Sequence, residues 1–217
     1  MDYPIFNSII NHIQEELNRR ELPIKQFKKW QEQAINASGL EITIDLSEIT
    51  PFISIVEINL DWDKFREIRL AKQLNGMEQH PLLKNSSLPE TNIDPNIDVE
   101  ITWHFNEQMV LDEDLTGEES GKIETASQWM QGVNERLHDH LPDDNITNRW
   151  HVEIEGSDEN KYLSNMNLIS YLQYCLTGKK ELNEIHQTVT KKIQQLLILT
   201  NKVVDVAEKS FPRAMAE

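Results

Sequence analysis

Four side chains in this sequence could share one metal ion: His104, His151, Asp112 and Asp114. Imidazole nitrogen combined with carboxylate oxygen is a donor set that suits zinc, manganese or iron. His104 lies in IDVEITWHF (97–105) and His151 in RWHVEI (149–154), with Glu100 and Glu153 close by. Both segments alternate apolar and polar residues, so both read as strands with the histidine on the polar side. If those strands pair, two imidazoles and two carboxylates converge on one face. A divalent metal is the one cofactor this pattern suggests, and a metal-dependent hydrolase or phosphatase is the function that would follow.

A second histidine pair, His138 and His140, stands in ERLHDHLPDDN (135–145). On a helix, residues two apart face different sides and cannot grip one ion. Pro142 argues that the helix ends by about residue 140, and histidines suit a helix C-terminus. The pair therefore reads as a helix end, followed by a turn at Asp143 and Asp144.

The stretch MVLDEDLTG (109–117) holds Asp112-x-Asp114-x-Thr116 after an apolar run. Over these nine residues it resembles the nucleophile motif of the haloacid dehalogenase-like phosphatases. That resemblance implies Asp112 as the nucleophile and Asp114 as the acid/base. The rest of the chain departs from that family's pattern, with no following series of parallel strands and helices. The same stretch resembles the opening of an EF-hand loop, but the twelfth position is Ile123 where a bidentate acid is needed. An acidic surface turn is the preferred account of this stretch. Cys175 is the one cysteine, which leaves no intramolecular disulfide, and its setting in LISYLQYCLTG reads as a buried structural thiol. Only seven glycines are present, and no phosphate-cradling loop is among them.

Charge gives a different lead. The net charge of −16 is concentrated in mid-chain. Residues 90–125 hold eleven acids and one base, and residues 126–160 eight acids and two bases. Residues 161–217 carry eight bases against five acids. Such a field repels nucleic-acid backbones and attracts basic proteins. No direct nucleic-acid binding is expected. Asp98, Glu100, Asp112, Glu113, Asp114, Glu118 and Glu119 are the candidate acidic binding face.

Elements must position these residues. Ile5, Ile9, Ile13 and Leu17 recur at helical spacing over 4–19. Pro23 opens a second helix lined by Ile24, Phe27, Trp30 and Ala34, with Ser38-Gly39 as its stop. EITIDL (41–46) and SIVEINLDW (54–62) alternate as strands. Residues 64–74 are ambiguous between helix and strand. Residues 75–96 hold three prolines and read as a long loop that could divide the chain into two lobes. An amphipathic helix is expected over roughly 123–140. Ser164 is placed to cap a helix over 165–176, ended by Gly178. A last helix runs over about 180–209, with Ile185, Val189, Ile193, Leu196 and Val203 on one stripe. Its length of roughly 45 Å leaves two readings open with equal weight, packing on a second copy as a homodimer or docking along its own domain.

The sequence thus predicts a single α+β domain over 1–217. It has a helical N-terminal hairpin, a mostly antiparallel sheet of about four or five strands, and a C-terminal helical hairpin with one long helix. The first twenty residues lack a basic stretch followed by an apolar run, and no segment is apolar enough to enter a membrane. The expectation is a non-enzymatic cytoplasmic interaction protein (inhibitor, immunity-type or adaptor) that offers its acidic face to a basic partner.

Overall fold

The computed structural model describes residues 3–32, 37–84, 95–106, 130–131, 134–135, 146–157 and 160–210. The elements, in chain order, are α1 (Pro4–Arg19), β1 (Ile24–Glu32), β2 (Ala37–Asp45), β3 (Ile53–Asp63), α2 (Lys64–Gln73), β4 (Asn96–Phe105), β5 (Ile146–Ser157), β6 (Asn160–Cys175) and α3 (Leu182–Ser210). The strands form one antiparallel sheet in the order β1-β2-β3-β4-β6-β5. The fold is α+β, with six strands where four or five were expected. Of the helix expected over 123–140, the described positions Met130, Gln131, Asn134 and Glu135 are helical, and the rest lies outside the described residues. Among the described residues no helix is long and apolar enough to cross a membrane.

Two expected helices are strands. The segment meant to complete an N-terminal helical hairpin is β1. Ile24, Phe27 and Trp30 are half-buried at every third position, with exposed polar residues between them. Three-residue spacing suggests a helix on paper, but an end strand needs little cover, and its lysines shield an open edge. Trp30 lies where a Cβ on Gly39 of β2 would stand, so the glycine lets the end strand approach closely. The segment meant to open a C-terminal helical hairpin is β6. Met166, Leu168, Ser170, Leu172, Tyr174 and Leu176 are all buried, an unbroken period of two. Apolar Ile169, Tyr171 and Cys175 on the other face hid that alternation. Cys175, expected inside, is exposed for the same reason.

The chain divides into two compact units. In the first (Met1–Ile42, Ile58–Glu100, Leu172–Leu196), α1 buries Ile5, Phe6, Ile9, Ile10, Ile13 and Leu17. Phe6 stacks on Trp62 of β3 with ring centroids 5.0 Å apart. The ambiguous segment 64–74 is α2, because the Asp63 carboxylate accepts the Arg66 backbone N–H at 2.8 Å and caps it. Leu40 and Ile42 of β2, Ile58 and Leu60 of β3, and Ile97 and Val99 of β4 complete the sheet side of this core. Each such aliphatic side chain contributes about 1.5–3 kcal/mol on burial.

In the second unit (Thr43–Glu57, Ile101–Tyr171, Leu197–Glu217), Ile101, Trp103 and Phe105 of β4 are buried with Met166 and Leu168 of β6. Leu199, Val203 and Val206 of α3 share this core, and the Trp103 indole N–H donates to Thr200 Oγ1 at 3.3 Å. Phe105 lies 5.3 Å from Trp150 of β5, centroid to centroid. Along α3 the buried positions are Ile185, Val189, Ile193, Leu196, Leu199, Val203 and Val206, in steps of three and four. These positions are buried within the chain.

Candidate functional site

Strand alternation gives each strand one core-directed face and one polar face. The predicted residues Asp98, Glu100 and His104 all lie on the polar face of β4, opposite buried Ile97, Val99, Ile101, Trp103 and Phe105. In the first unit Asp98 is already engaged. Arg66 of α2 forms an ion pair with it, and Gln173 of β6 donates to it at 2.9 Å. Glu100 is half-buried beside it. Asp112, Glu113, Asp114, Glu118 and Glu119 lie outside the described residues, as do His138 and His140.

In the second unit the histidines are not on neighbouring strands: β6 separates β4 from β5. His104 Nε2 lies 3.2 Å from Glu57 Oε2 of β3, and His151 Nε2 lies 3.1 Å from Glu153 Oε1 on its own strand. The His151 hydrogen bond is the main cause that holds the Glu153 carboxyl below its usual range, with Asn165 of β6 adding to it.

Two registers fix what stands between the histidines. The Leu176 N–H donates to the Pro95 carbonyl at 2.8 Å, and Gln173 meets Asp98 three residues further in. The buried faces stay in step along the two strands, with Ile97, Val99, Ile101, Trp103 and Phe105 on β4 and Met166, Leu168, Ser170, Leu172 and Tyr174 on β6, so the same register carried on sets Asn167 across from His104. On the other side, Ser170 bonds Asn148 and Asn165 bonds Glu153, which sets His151 across from Asn167. The polar face therefore carries a row of Glu57, His104, Asn167 and His151 on four successive strands. Asn167 is 6% exposed. Its Oδ1, and Nε2 of His104, have no hydrogen-bond partner among the described residues.

Glu57 was legible as a polar-face position of the strand SIVEINLDW, although histidines and mid-chain acids drew more attention. Asn167 could not be found from the sequence once β6 had been read as a helix. Among the described residues no group of three His, Cys, Asp or Glu side chains is placed to hold a metal ion.

The first unit holds two further polar clusters that the sequence did not reveal. Glu67 of α2 is fully buried and accepts four hydrogen bonds. They come from the Ile5 and Phe6 backbone N–H groups (2.8 and 3.2 Å), Trp62 Nε1 (2.9 Å) and His80 Nε2 (3.0 Å). The Leu82 N–H donates to His80 Nδ1 at 3.2 Å, which assigns the ring proton to Nε2. Tyr3, at the N-cap of α1, makes no side-chain cap, so the α2 carboxylate satisfies that helix's first free donors. Burial, then Asp63 and Glu67, push the Tyr3 phenol up. Between α1 and α3, His12 and His186 stack with centroids 4.5 Å apart. His12 Nε2 meets Thr190 Oγ1 at 2.7 Å, and His186 Nε2 meets Ser8 Oγ at 3.0 Å.

No protein-family model, curated protein or solved structure matches this chain.

Proposed function

We propose that this protein is a non-enzymatic cytoplasmic binding protein that presents an acidic face to a basic protein partner, in an inhibitory, immunity-type or adaptor role. One observation carries the reading. Residues 90–125 hold eleven acids and a single base, and the strand that begins this acidic region puts Asp98 and Glu100 on the polar face of the sheet. Charge of one sign over that length speeds encounter with a basic partner and selects against acidic ones.

The test is native mass spectrometry on the protein isolated at low salt, followed by binding measured at rising salt. The expected result is a second, basic polypeptide whose affinity falls steeply with ionic strength. Replacing Asp112, Glu113 and Asp114 with their amides should weaken that binding several-fold. A neutral or acidic partner, or binding indifferent to salt, would sink the proposal.

A further inference from the structure

The polar row of the second unit contains more than negative charge. His104 Nε2 and Glu57 Oε2 are 3.2 Å apart, yet the imidazole nitrogen makes no hydrogen bond among the described residues. The ring therefore does not point its nitrogen along the line to the carboxylate oxygen. Two donor atoms that each sit about 2.1 Å from one ion, at tetrahedral to octahedral angles, stand roughly 3.0–3.4 Å apart. The observed separation falls within that range.

Asn167 brings a third donor. It stands across from His104 on the adjacent strand and on the same face, where side chains start roughly 5 Å apart. It is nine-tenths buried, and its Oδ1 accepts no hydrogen bond among the described residues. Leaving a buried amide oxygen unmet is costly, and a carboxylate beside it cannot meet it, because a carboxylate only accepts. With the His104 proton on Nδ1, His104 Nε2, Glu57 Oε2 and Asn167 Oδ1 are all acceptors. A cation satisfies all of them together.

We propose that Glu57, His104 and Asn167 form a site for a divalent first-row transition-metal ion, with zinc or manganese as the best-suited class. The imidazole selects against magnesium and calcium, which prefer oxygen alone. His151 is not a direct ligand. It lies two strand spacings from His104, roughly 10 Å between Cα atoms, and its Nε2 is held by Glu153. The site differs from the pairing of His104 with His151 and the mid-chain aspartates, and it stands whether or not the acidic face binds a protein.

The experiment is calorimetric titration of chelator-treated full-length protein with zinc sulfate, repeated with manganese chloride. Thermal melts with and without the same ions accompany it. One ion per chain is expected. Glu57→Gln, His104→Ala and Asn167→Leu should each weaken binding about tenfold or more and abolish the metal-induced rise in melting temperature. The double variant His138→Ala/His140→Ala should bind as the wild type does. Circular dichroism checks each fold, and the half-exposed Glu57→Gln remains decisive if His104→Ala unfolds. The proposal is overturned by no stoichiometric binding, by binding that Glu57→Gln and Asn167→Leu leave intact, or by binding that follows the His138 and His140 pair.

Discussion

Glu67 and Asn167 are both polar, both enclosed and both central to their own units, but their surroundings are opposite. The Glu67 carboxylate receives four donors from α1, β3 and the turn at His80. The Asn167 amide oxygen receives none among the described residues. A saturated buried charge ties elements together and has no capacity left for a ligand. A buried amide oxygen with no donor adds no hydrogen bond to the fold and leaves capacity for a ligand. The contrast teaches that burial alone does not mark a functional group. What decides is whether the chain itself satisfies it.

The largest expected effect tests the saturated side. Glu67→Ala leaves two backbone N–H groups, an indole and an imidazole without an acceptor in the core. We expect a loss of about 3–5 kcal/mol in urea unfolding, the scale for breaking a buried charge network. Glu67→Gln keeps one acceptor oxygen but sets an NH2 group against donors, so about 2 kcal/mol is expected. A cost for Glu67→Ala below about 1 kcal/mol would mean that water reaches those donors, and the comparison would fail.

The second effect is smaller and is expected to differ in sign. Asn167→Leu removes an unmet polar group and replaces it with an apolar one of similar size. In metal-free buffer its stability should be unchanged or up to about 1 kcal/mol higher. A clear destabilisation in the same unfolding assay would show that the amide is satisfied within the fold. The same variant should lose metal binding, so stability and binding move in opposite directions at this one residue.

How much of this was legible in the sequence depends on which element is asked. The helix over 4–19, the strand IDVEITWHF and the long last helix each follow a single period, and the structure keeps all three with small changes at their ends. β1 and β6 misled for different reasons. β1 is an end strand, so only one residue in three needs cover, and that spacing imitates a helix. β6 carries apolar residues on both faces, so its period of two is masked until Ser170 is seen to be buried in line with Met166, Leu168, Leu172 and Tyr174. The site followed the same logic. His104 was visible because it stands on the polar side of a clean alternation, whereas Asn167 depended on a strand that periodicity did not reveal. Glu67 was hidden because a carboxylate in a polar helix normally points to solvent, and only tertiary contact makes it a helix cap.

The smallest effect concerns a cluster between those two extremes. His12 and His186 are half-buried, stacked on one another, and each hydrogen-bonds a hydroxyl, Thr190 and Ser8 respectively. Burial lowers the His186 pKa from 6.5, and the nearby His12 adds to that, while Glu15 opposes it. The neutral ring is therefore preferred in the folded state. Below pH 6.5 the unfolded chain binds more protons at this residue than the folded one. Its contribution to stability is fully present above about pH 6.5 and is lost as pH falls through the lower folded value. Because the cluster is partly open to solvent, screening keeps the effect to a fraction of a kcal/mol. Urea midpoints at pH 7.5 and pH 5.5 should drop less in His186→Gln, which keeps a partner for Ser8, than in the wild type. Ring signals followed by NMR give the direct check. A His186 that titrates at or above the ordinary histidine value would remove this intermediate case and leave only the two extremes.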